Sequence, residues 1–247
     1  MSDIANKVET LMEAMPYLQK YQGKIIVIKY GGNAMINEEL KDAVMHDVVL
    51  LKLLGMKPVL SHGGGPGINK MLEKLDIPVE FIEGLRYTSA DIMRVVEMVL
   101  VGQVNTELVG FINKLGGKAV GLSGVSGDIY HCHQRDEVHG YVGDIDYVDP
   151  KPIFAMLDAG YIPVIAPVGT DGQGHTFNIN GDTAAGKLAS ALGAEKLVIL
   201  TDIEGLCNDI KIRDVISYLN IEDVKALKDK GTIAGGMIPK VDCCVSL

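Results

Sequence analysis

The sequence lacks the long apolar stretch that a membrane protein needs. No uninterrupted apolar run approaches the roughly 20 residues that cross a bilayer, and the N-terminus does not show the basic segment followed by an apolar one that marks a secretory signal. We therefore expect a cytoplasmic protein. Its 247 residues suffice for one large core or two modest lobes.

Cysteine and positive charge are also scarce. The four cysteines, Cys132, Cys207, Cys243 and Cys244, form no C-x-x-C pattern, which argues against a disulfide scaffold and predicts reduced thiols. Lysine and arginine number 23 against 32 acidic residues, a net charge of −9 that disfavours nucleic acid and anionic membranes as partners. An anionic substrate would therefore need positive potential built locally.

The common nucleotide and hydrolase signatures are missing as well. The Gly-Lys pairs at 23–24, 117–118 and 186–187 are each followed by the wrong residue for a G-x-x-x-x-G-K-[ST] loop. The chain has no G-x-G-x-x-G, H-R-D or D-F-G motif and no Ser/His/Asp or Cys/His hydrolase signature. These absences argue against a P-loop NTPase, a Rossmann dehydrogenase and a eukaryotic-type protein kinase.

What is present is an alternation of strands, glycine turns and helices. The segment "KIIVIKY" is rich in β-branched residues and predicts a strand, "KPVLSH" and "KAVGLSG" predict two more, and each of the three runs into glycines. This alternation predicts a parallel sheet with helices on both faces and ligands at the carboxyl ends of the strands. The polar stretch 128–149 predicts a β-hairpin, and the turn 170–176 is the candidate lobe boundary.

Residues 3–20 have the apolar periodicity of an amphipathic helix, which Pro16 should kink or interrupt. The apolar stripe suits packing on its own domain and contact with a partner subunit equally well.

Three glycine turns, at 31–32, 63–65 and 235–236, indicate an anion site. Lys29 and Lys240 stand beside two of these turns, and either extend to solvent or bind a polyphosphate.

Three other polar features have two readings each. Asp182 either caps a helix or orients neighbouring ammonium groups. Arg86 is either a surface residue or a ligand for a carboxylate. His131 and His133 share a strand face without a clear third metal ligand, so the pattern favours a solvated hairpin over a metal site.

Six motifs in order closely resemble the N-acetylglutamate-phosphorylating members of the amino acid kinase family, from about residue 6 to residue 242. They are "IKYGGNAM", "SHGGGPGIN", "EGLRYT", "NINGDTAAG", "TDIEGL" and "GGMIPK". The resemblance implies an α/β/α sandwich with a mostly parallel open central sheet. It also implies a kinked N-terminal helix at 1–22, an amino-acid-substrate lobe at 23–170 and an ATP-binding lobe at 171–247. Family members usually continue beyond "GGMIPK", so the last lobe is expected to be incomplete.

The resemblance also implies a role for individual residues. Lys29 would contact the transferring phosphoryl group, Lys240 would lie near the ATP phosphates, and Asp182 would orient both lysines. The substrate would meet Gly64, Gly65, Arg86 and Asn178. The nucleotide would meet Gly31, Gly32, Asp202, Gly205, Leu206, Cys207, Thr232, Ile233 and Ala234.

The implied reaction is transfer of the γ-phosphoryl of ATP, with Mg²⁺, to the γ-carboxylate of N-acetyl-L-glutamate in arginine biosynthesis. A carboxylate with a pKa of about 4.3 is already ionised at neutral pH, so the reaction needs no general base. It needs charge neutralisation, which lysines, glycine N–H groups and Mg²⁺ supply.

By the same resemblance, the helix at 3–20 would join dimers into a hexamer inhibited by L-arginine, with Tyr17 a candidate inhibitor contact. Two alternatives stay open: another amino acid kinase such as a glutamate 5-kinase, and a catalytically silent arginine-binding regulator.

Overall fold

A computed structural model describes residues 2–35, 37–201, 205–209, 214–235 and 237–245. Within these residues the helices are α1 (Ser2–Tyr21), α2 (Glu38–Leu53), α3 (Gly65–Lys74), α4 (Ala90–Glu97), α5 (Thr106–Lys114), α6 (Lys151–Asp158), α7 (Gly181–Ala191), α8 (Ile221–Asp229) and α9 (Met237–Val245). The strands are β1 (Ile25–Tyr30), β2 (Lys57–His62), β3 (Phe81–Ile82), β4 (Leu85–Arg86), β5 (Ala119–Ser123), β6 (Tyr130–Gln134), β7 (Gly143–Val148), β8 (Ile162–Ala166), β9 (Val168–Thr170), β10 (Thr176–Asn178), β11 (Lys196–Ile199), β12 (Cys207–Asp209) and β13 (Asp214–Val215).

The central sheet has five parallel strands in the order β11-β1-β2-β8-β5. Successive residues of β1 enter opposite cores: Ile26 and Ile28 pack with α2 to α5, whereas Val27 packs with α6 and α7. Because side chains alternate along a strand, a parallel sheet with apolar residues on both faces must be covered by helices twice. The predicted α/β/α sandwich is confirmed.

A second sheet, in the order β10-β9-β6-β7, lies beyond the carboxyl ends of the central strands. Strands β6 and β7 pair antiparallel, which confirms the hairpin predicted at 128–149. The glycine-rich turn 171–175 joins β9 to β10 within this sheet. The division of the chain into two lobes at this point stays a prediction.

The hairpin histidines have acidic neighbours. The Nδ1 of His131 lies 3.4 Å from Asp128, and that of His133 lies 2.7 Å from Asp146. Among the described residues no three metal-binding side chains come together. All four cysteines are free thiols, as the sequence predicts.

Helices α4 and α5 are joined through a π-helical segment, Met98–Asn105, into one helical stretch from 90 to 114. Within the described ranges, only this stretch is long and apolar enough to span a membrane. Its apolar face, including Val96, Leu100 and Ile112, packs in the first core, as a core helix does. The π-helical segment brings Leu100 against the glycine turn after β2.

Helix α1 runs from Ser2 to Tyr21 without interruption, so the alternative in which Pro16 breaks it is wrong. Most of the apolar stripe does not pack on its own domain. Four of its members are 45–65% exposed, and they are Val8, Leu11, Met12 and Met15. Its last member, Leu18, packs with Tyr21 against the first core. The helix therefore offers an apolar face to solvent.

Candidate active site

The site lies where β1 and β2 end and α3 and α7 begin. A cavity of about 250 Å³ opens there between the two sheets. Eight of the residues predicted from the sequence line it: Lys29, Gly31, Gly32, Gly64, Gly65, Arg86, Asn178 and Asp182. Segments up to about 150 residues apart in the sequence thus converge, because parallel strands end at one edge of the sheet.

Asp182 joins the two predicted lysines. Its Oδ1 lies 2.8 Å from the Nζ of Lys29, and its Oδ2 accepts a hydrogen bond of 3.0 Å from the Nζ of Lys240. The Lys29 and Asp182 side chains are about 10% exposed (9% and 11%) and that of Lys240 is 23% exposed, so neither lysine simply extends to solvent. Burial alone would raise the pKa of Asp182, but the two lysines outweigh it and lower that pKa below 3.8. We call these three residues the lysine clamp.

Asn180, and not Asp182, caps α7. Its side chain accepts hydrogen bonds from the backbone N–H groups of Asp182 and Thr183, at 2.9 and 3.1 Å. Asp182 lies in the first turn, where the helix dipole also favours its negative charge. The cap interpretation of Asp182 is therefore wrong. An asparagine just before an apolar periodic segment is a recognisable cap signal that identifies Asn180 instead.

The glycine turns bring backbone close to the clamp. The N–H of Gly63 donates to the carbonyl of Tyr30 at 2.8 Å, which fastens the turn after β2 to the end of β1. A Cβ on Gly64 would lie 2.3 Å from the Cδ2 of the buried Leu100, so the close approach of the π-helical segment favours glycine there. The N-terminus of the following helix α3 lines the cavity at Gly65 and Pro66, and a helix N-terminus favours an anion.

Arg86 is buried and not on the surface, being only 8% exposed. Its guanidinium lies 4.9 Å from the ring centre of Phe81, and its Nη2 donates to Asn69. Burial lowers its pKa. The Nη1 atom has no hydrogen-bond partner among the described side chains and backbone, so Arg86 retains donors for an anionic ligand.

Two residues beside the site, His62 and Asn105, received no role from the sequence patterns. His62 is fully buried beside the glycine turn, and burial lowers its pKa to about 4, so it is neutral at physiological pH. Its Nδ1 donates to the carbonyl of Gly63 at 2.7 Å, and its Nε2 accepts from the Nδ2 of Asn105 at 3.1 Å. Asn105 also donates to the carbonyl of Val164 at 2.9 Å, which ties the turn to β8.

A second cavity, of about 360 Å³, lies on the other side of Lys240 between β11, α8 and α9. Its walls are largely apolar and include Ile199, Leu206, Met237, Lys240, Val241 and Cys244. An apolar cavity with a cation at its edge fits a purine base with attached phosphates. Of the residues predicted to meet the nucleotide, Leu206 lines this cavity directly.

The remaining predicted nucleotide contacts lie nearby or outside the description. Ile233 is buried in the small core beneath the second cavity, with Val224 and Val241. Thr232 and Ala234 lie in the turn between α8 and α9, and Gly205 and Cys207 lie next to and within β12. Asp202 lies outside the described residues. Tyr17 is 66% exposed on α1 and lines neither cavity.

The described residues around the lysine clamp offer few ligands for Mg²⁺. Both carboxylate oxygens of Asp182 are taken up by lysines. Nowhere in the described ranges do three metal-binding side chains meet. A Mg²⁺ ion therefore fits this donor set only if the nucleotide's phosphate oxygens supply most of its ligands.

Comparison with known proteins gives consistent matches. A sequence model of the amino acid kinase family matches residues 24–247. An acetylglutamate kinase from Heliobacterium modesticaldum is 51% identical over 252 residues, which cover 97% of this chain and 85% of that protein. One from Thermoanaerobacter pseudethanolicus is 49% identical over 243 residues, covering 97% of this chain and 81% of its own length.

A solved structure shares the fold. N-acetylglutamate synthase from Neisseria gonorrhoeae, complexed with coenzyme A and N-acetyl-glutamate, superposes with a TM-score of 0.83 at 22% identity. The match covers 97% of this chain and 55% of that one. At this identity the likeness concerns the fold alone.

Proposed function

The chain belongs to the amino acid kinase family, and from this premise we propose how its site phosphorylates the γ-carboxylate of N-acetyl-L-glutamate with ATP, a step of arginine biosynthesis. The activity follows from relatives of about half identity over nearly the whole chain. One observation carries the proposed mechanism. Asp182 holds Lys29 and Lys240 together at the wall of a cavity that also contains Arg86 and Asn178.

We place the amino acid in the 250 Å³ cavity. Arg86, buried and with an unused donor, would bind the α-carboxylate, and Asn178 would contact the same end of the molecule. The N–H groups of Gly64 and Gly65 would meet the γ-carboxylate at the N-terminus of α3. The reacting group would then point toward Lys29.

We place the base of ATP in the apolar cavity beyond Lys240, so that the phosphates run past the lysine clamp toward the acceptor. Gly31 and Gly32 would let the phosphate chain approach the backbone, and Gly31 already lies beside the Lys29 ammonium. Mg²⁺, held mainly by phosphate oxygens, would neutralise part of the phosphate charge.

The chemistry then depends on position and charge. The acceptor carboxylate is already an anion, so no residue has to remove a proton. The obstacle is repulsion between that anion and the triphosphate. Lys29 and Lys240, held in a weakly solvated site, stabilise the charge that spreads over the transferring phosphoryl oxygens. No covalent enzyme intermediate is required.

The substrate assignment is tested by comparing acceptors. We expect kcat/KM for N-acetyl-L-glutamate to exceed that for L-glutamate by about 100-fold or more, because the free α-ammonium of glutamate would enter a site that already holds Arg86 and two lysines. Coupled measurement of ADP release with each acid checks this. Equal or better turnover of plain glutamate would overturn the choice in favour of a glutamate 5-kinase.

The same assay distinguishes a kinase from the alternative of a catalytically silent arginine-binding regulator. That alternative predicts no ATP turnover with either acid. The intact lysine clamp supports a working kinase, because a buried Lys29 and a partly buried Lys240 around one carboxylate would be costly to retain without a catalytic purpose.

We further propose that copies of the chain assemble through α1 into a hexamer, and that L-arginine inhibits it, with Tyr17 near the inhibitor. The exposed apolar stripe of α1 supports this, since such a face is favourable only when another surface covers it. We place the protein in the cytoplasm, where its four free thiols remain reduced.

Removing residues 1–20 should therefore leave dimers that arginine does not inhibit. Leu11→Glu should have the same effect on assembly, because it puts a charge into the apolar contact. Thr10→Glu, on the neighbouring position of the same helix, is the matched control and should keep the assembly. Light scattering and inhibition curves check both points, and a hexamer formed by the truncated chain would refute the role of α1.

A further inference from the structure

Thr88 lies two residues after Arg86, is fully buried and does not line the substrate cavity. All its polar groups are nevertheless used. Its backbone N–H donates to the carbonyl of His139 at 3.1 Å, and its carbonyl accepts from the N–H of Tyr141 at 2.7 Å. Its hydroxyl donates to the carbonyl of Arg86 at 2.9 Å and accepts from the Nδ2 of Asn178 at 3.1 Å.

The hydroxyl thus connects the two strands that carry the substrate residues. Arg86 ends β4, whereas Asn178 ends β10 in another sheet, 92 positions later along the chain. A hydroxyl has one proton, and here the Arg86 carbonyl takes it, so Thr88 can only accept from Asn178. The Asn178 side-chain amide is therefore oriented with its NH₂ group toward Thr88. The same hydroxyl also fixes the position of the Arg86 backbone relative to that amide.

The backbone of Thr88 holds a third segment, the loop between β6 and β7. Gly140 in this loop has φ +66°, and a Cβ there would lie 2.3 Å from the Thr88 carbonyl oxygen. The loop can therefore approach Thr88 so closely only through a glycine. Val142, at the end of the loop, lines the substrate cavity. Three segments that surround the substrate consequently meet at one buried residue.

We propose that Thr88 is a positioning residue for the amino-acid substrate. Its hydroxyl sets the relative placement of Arg86 and Asn178, which hold the end of the substrate that does not react. This inference rests on the substrate placement proposed above. Because the lysine clamp is untouched, loss of the hydroxyl should weaken binding of the amino acid and leave the phosphoryl-transfer step almost unchanged.

The test replaces Thr88 by valine, which has the same shape without the hydroxyl. The buried carbonyl of Arg86 and the partly buried amide of Asn178 then lose a partner, and we expect the KM for N-acetyl-L-glutamate to rise about tenfold. The kcat and the KM for ATP should stay within about twofold, because neither depends on the Arg86–Asn178 spacing. Thr88→Ser restores the hydroxyl and should bring the KM back. Thr176→Val, on the same strand as Asn178, is the matched control.

The outcomes separate the two proposals. A wild-type chain that fails to phosphorylate N-acetylglutamate would overturn the proposed function and not the role of Thr88. That role is also measured without substrate, from the unfolding of Thr88→Val, Asn178→Ala and the double variant. Any of three results would overturn the inference. The losses in the free energy of unfolding of the two single variants could add fully in the double variant. The KM of Thr88→Val could stay within twofold of wild type, or Thr88→Ser could fail to restore it.

Discussion

Lys29→Met should lower kcat by about 10³-fold or more, while the KM for ATP changes little. The Lys29 side chain is only 9% exposed, and at such a weakly solvated position one charge acts on phosphoryl oxygens far more strongly than it would in water. Methionine keeps most of the side-chain volume, so the packing beside Gly31 survives. Steady-state kinetics and thermal unfolding of the variant measure the two effects separately.

The control for this experiment is Lys24→Met. Lys24 precedes β1, carries the same charge and forms an ion pair of 3.4 Å with Glu195, but its side chain is 53% exposed. Its removal should leave kcat within about twofold, since exposed ion pairs contribute little. A Lys29 variant that kept more than a tenth of wild-type kcat would contradict the role given to this lysine.

Asp182→Asn should damage both stability and turnover. The substitution leaves Lys29 and Lys240 facing each other without a counter-charge, and breaking a buried pair in this way costs about 3 kcal/mol or more in the free energy of unfolding. The kcat should fall as well, by about 10²-fold, because the two ammonium groups repel each other out of position. Asparagine preserves the shape of the first turn of α7, which Asn180 caps through backbone N–H groups. Urea unfolding and kinetics measure the two losses.

Acid should abolish the stability difference between wild type and Asp182→Asn. The folded-state pKa of Asp182 is lowered, so its contribution is fully present above the ordinary value of 3.8 and is lost as the pH falls through the folded pKa. The surface pair Lys57–Asp158, at 3.1 Å, provides a control: Asp158 is 71% exposed, and Asp158→Asn should change stability by less than about 1 kcal/mol. A similar cost for both variants would contradict the importance of the clamp.

The central sheet could be read from the sequence because its signal is local. Strand β1 combines β-branched residues with glycines after its end, and β2 and β5 also run into glycines, so this pattern indicates both the strands and the edge where ligands bind. The hairpin at 128–149 could equally be predicted, from its alternating polar residues. The helix at 3–20 was predicted from its periodicity, but its exposed stripe could not be, since periodicity does not say what covers an apolar face.

The site depends on contacts that no local pattern contains. Lys240 lies 58 residues from Asp182 along the chain, and Asn178 lies 90 from Thr88, so spacing alone favours a lysine directed to solvent over a clamp. Only motifs matching a known family in order favoured the clamp. His62 stayed hidden because its partner, Asn105, comes close only through the π-helical segment. Pro16 does not interrupt the helix, because the hydrogen bond it removes lies on a largely solvent-exposed helix, where water can replace it. A kink at Pro16 stays a prediction.

The lysine clamp carries a net positive charge, which affects how the site binds anions. One carboxylate is shared by two ammonium groups, so the trio retains a surplus of one positive charge. That surplus makes the empty site attractive to an anion in a protein whose overall charge is −9. If the phosphates bind Lys29 and Lys240 as we propose, Asp182 would compete with the product for the same two lysines and so would limit how tightly the product is held. The aspartate would then pair with both lysines again when the phosphate leaves.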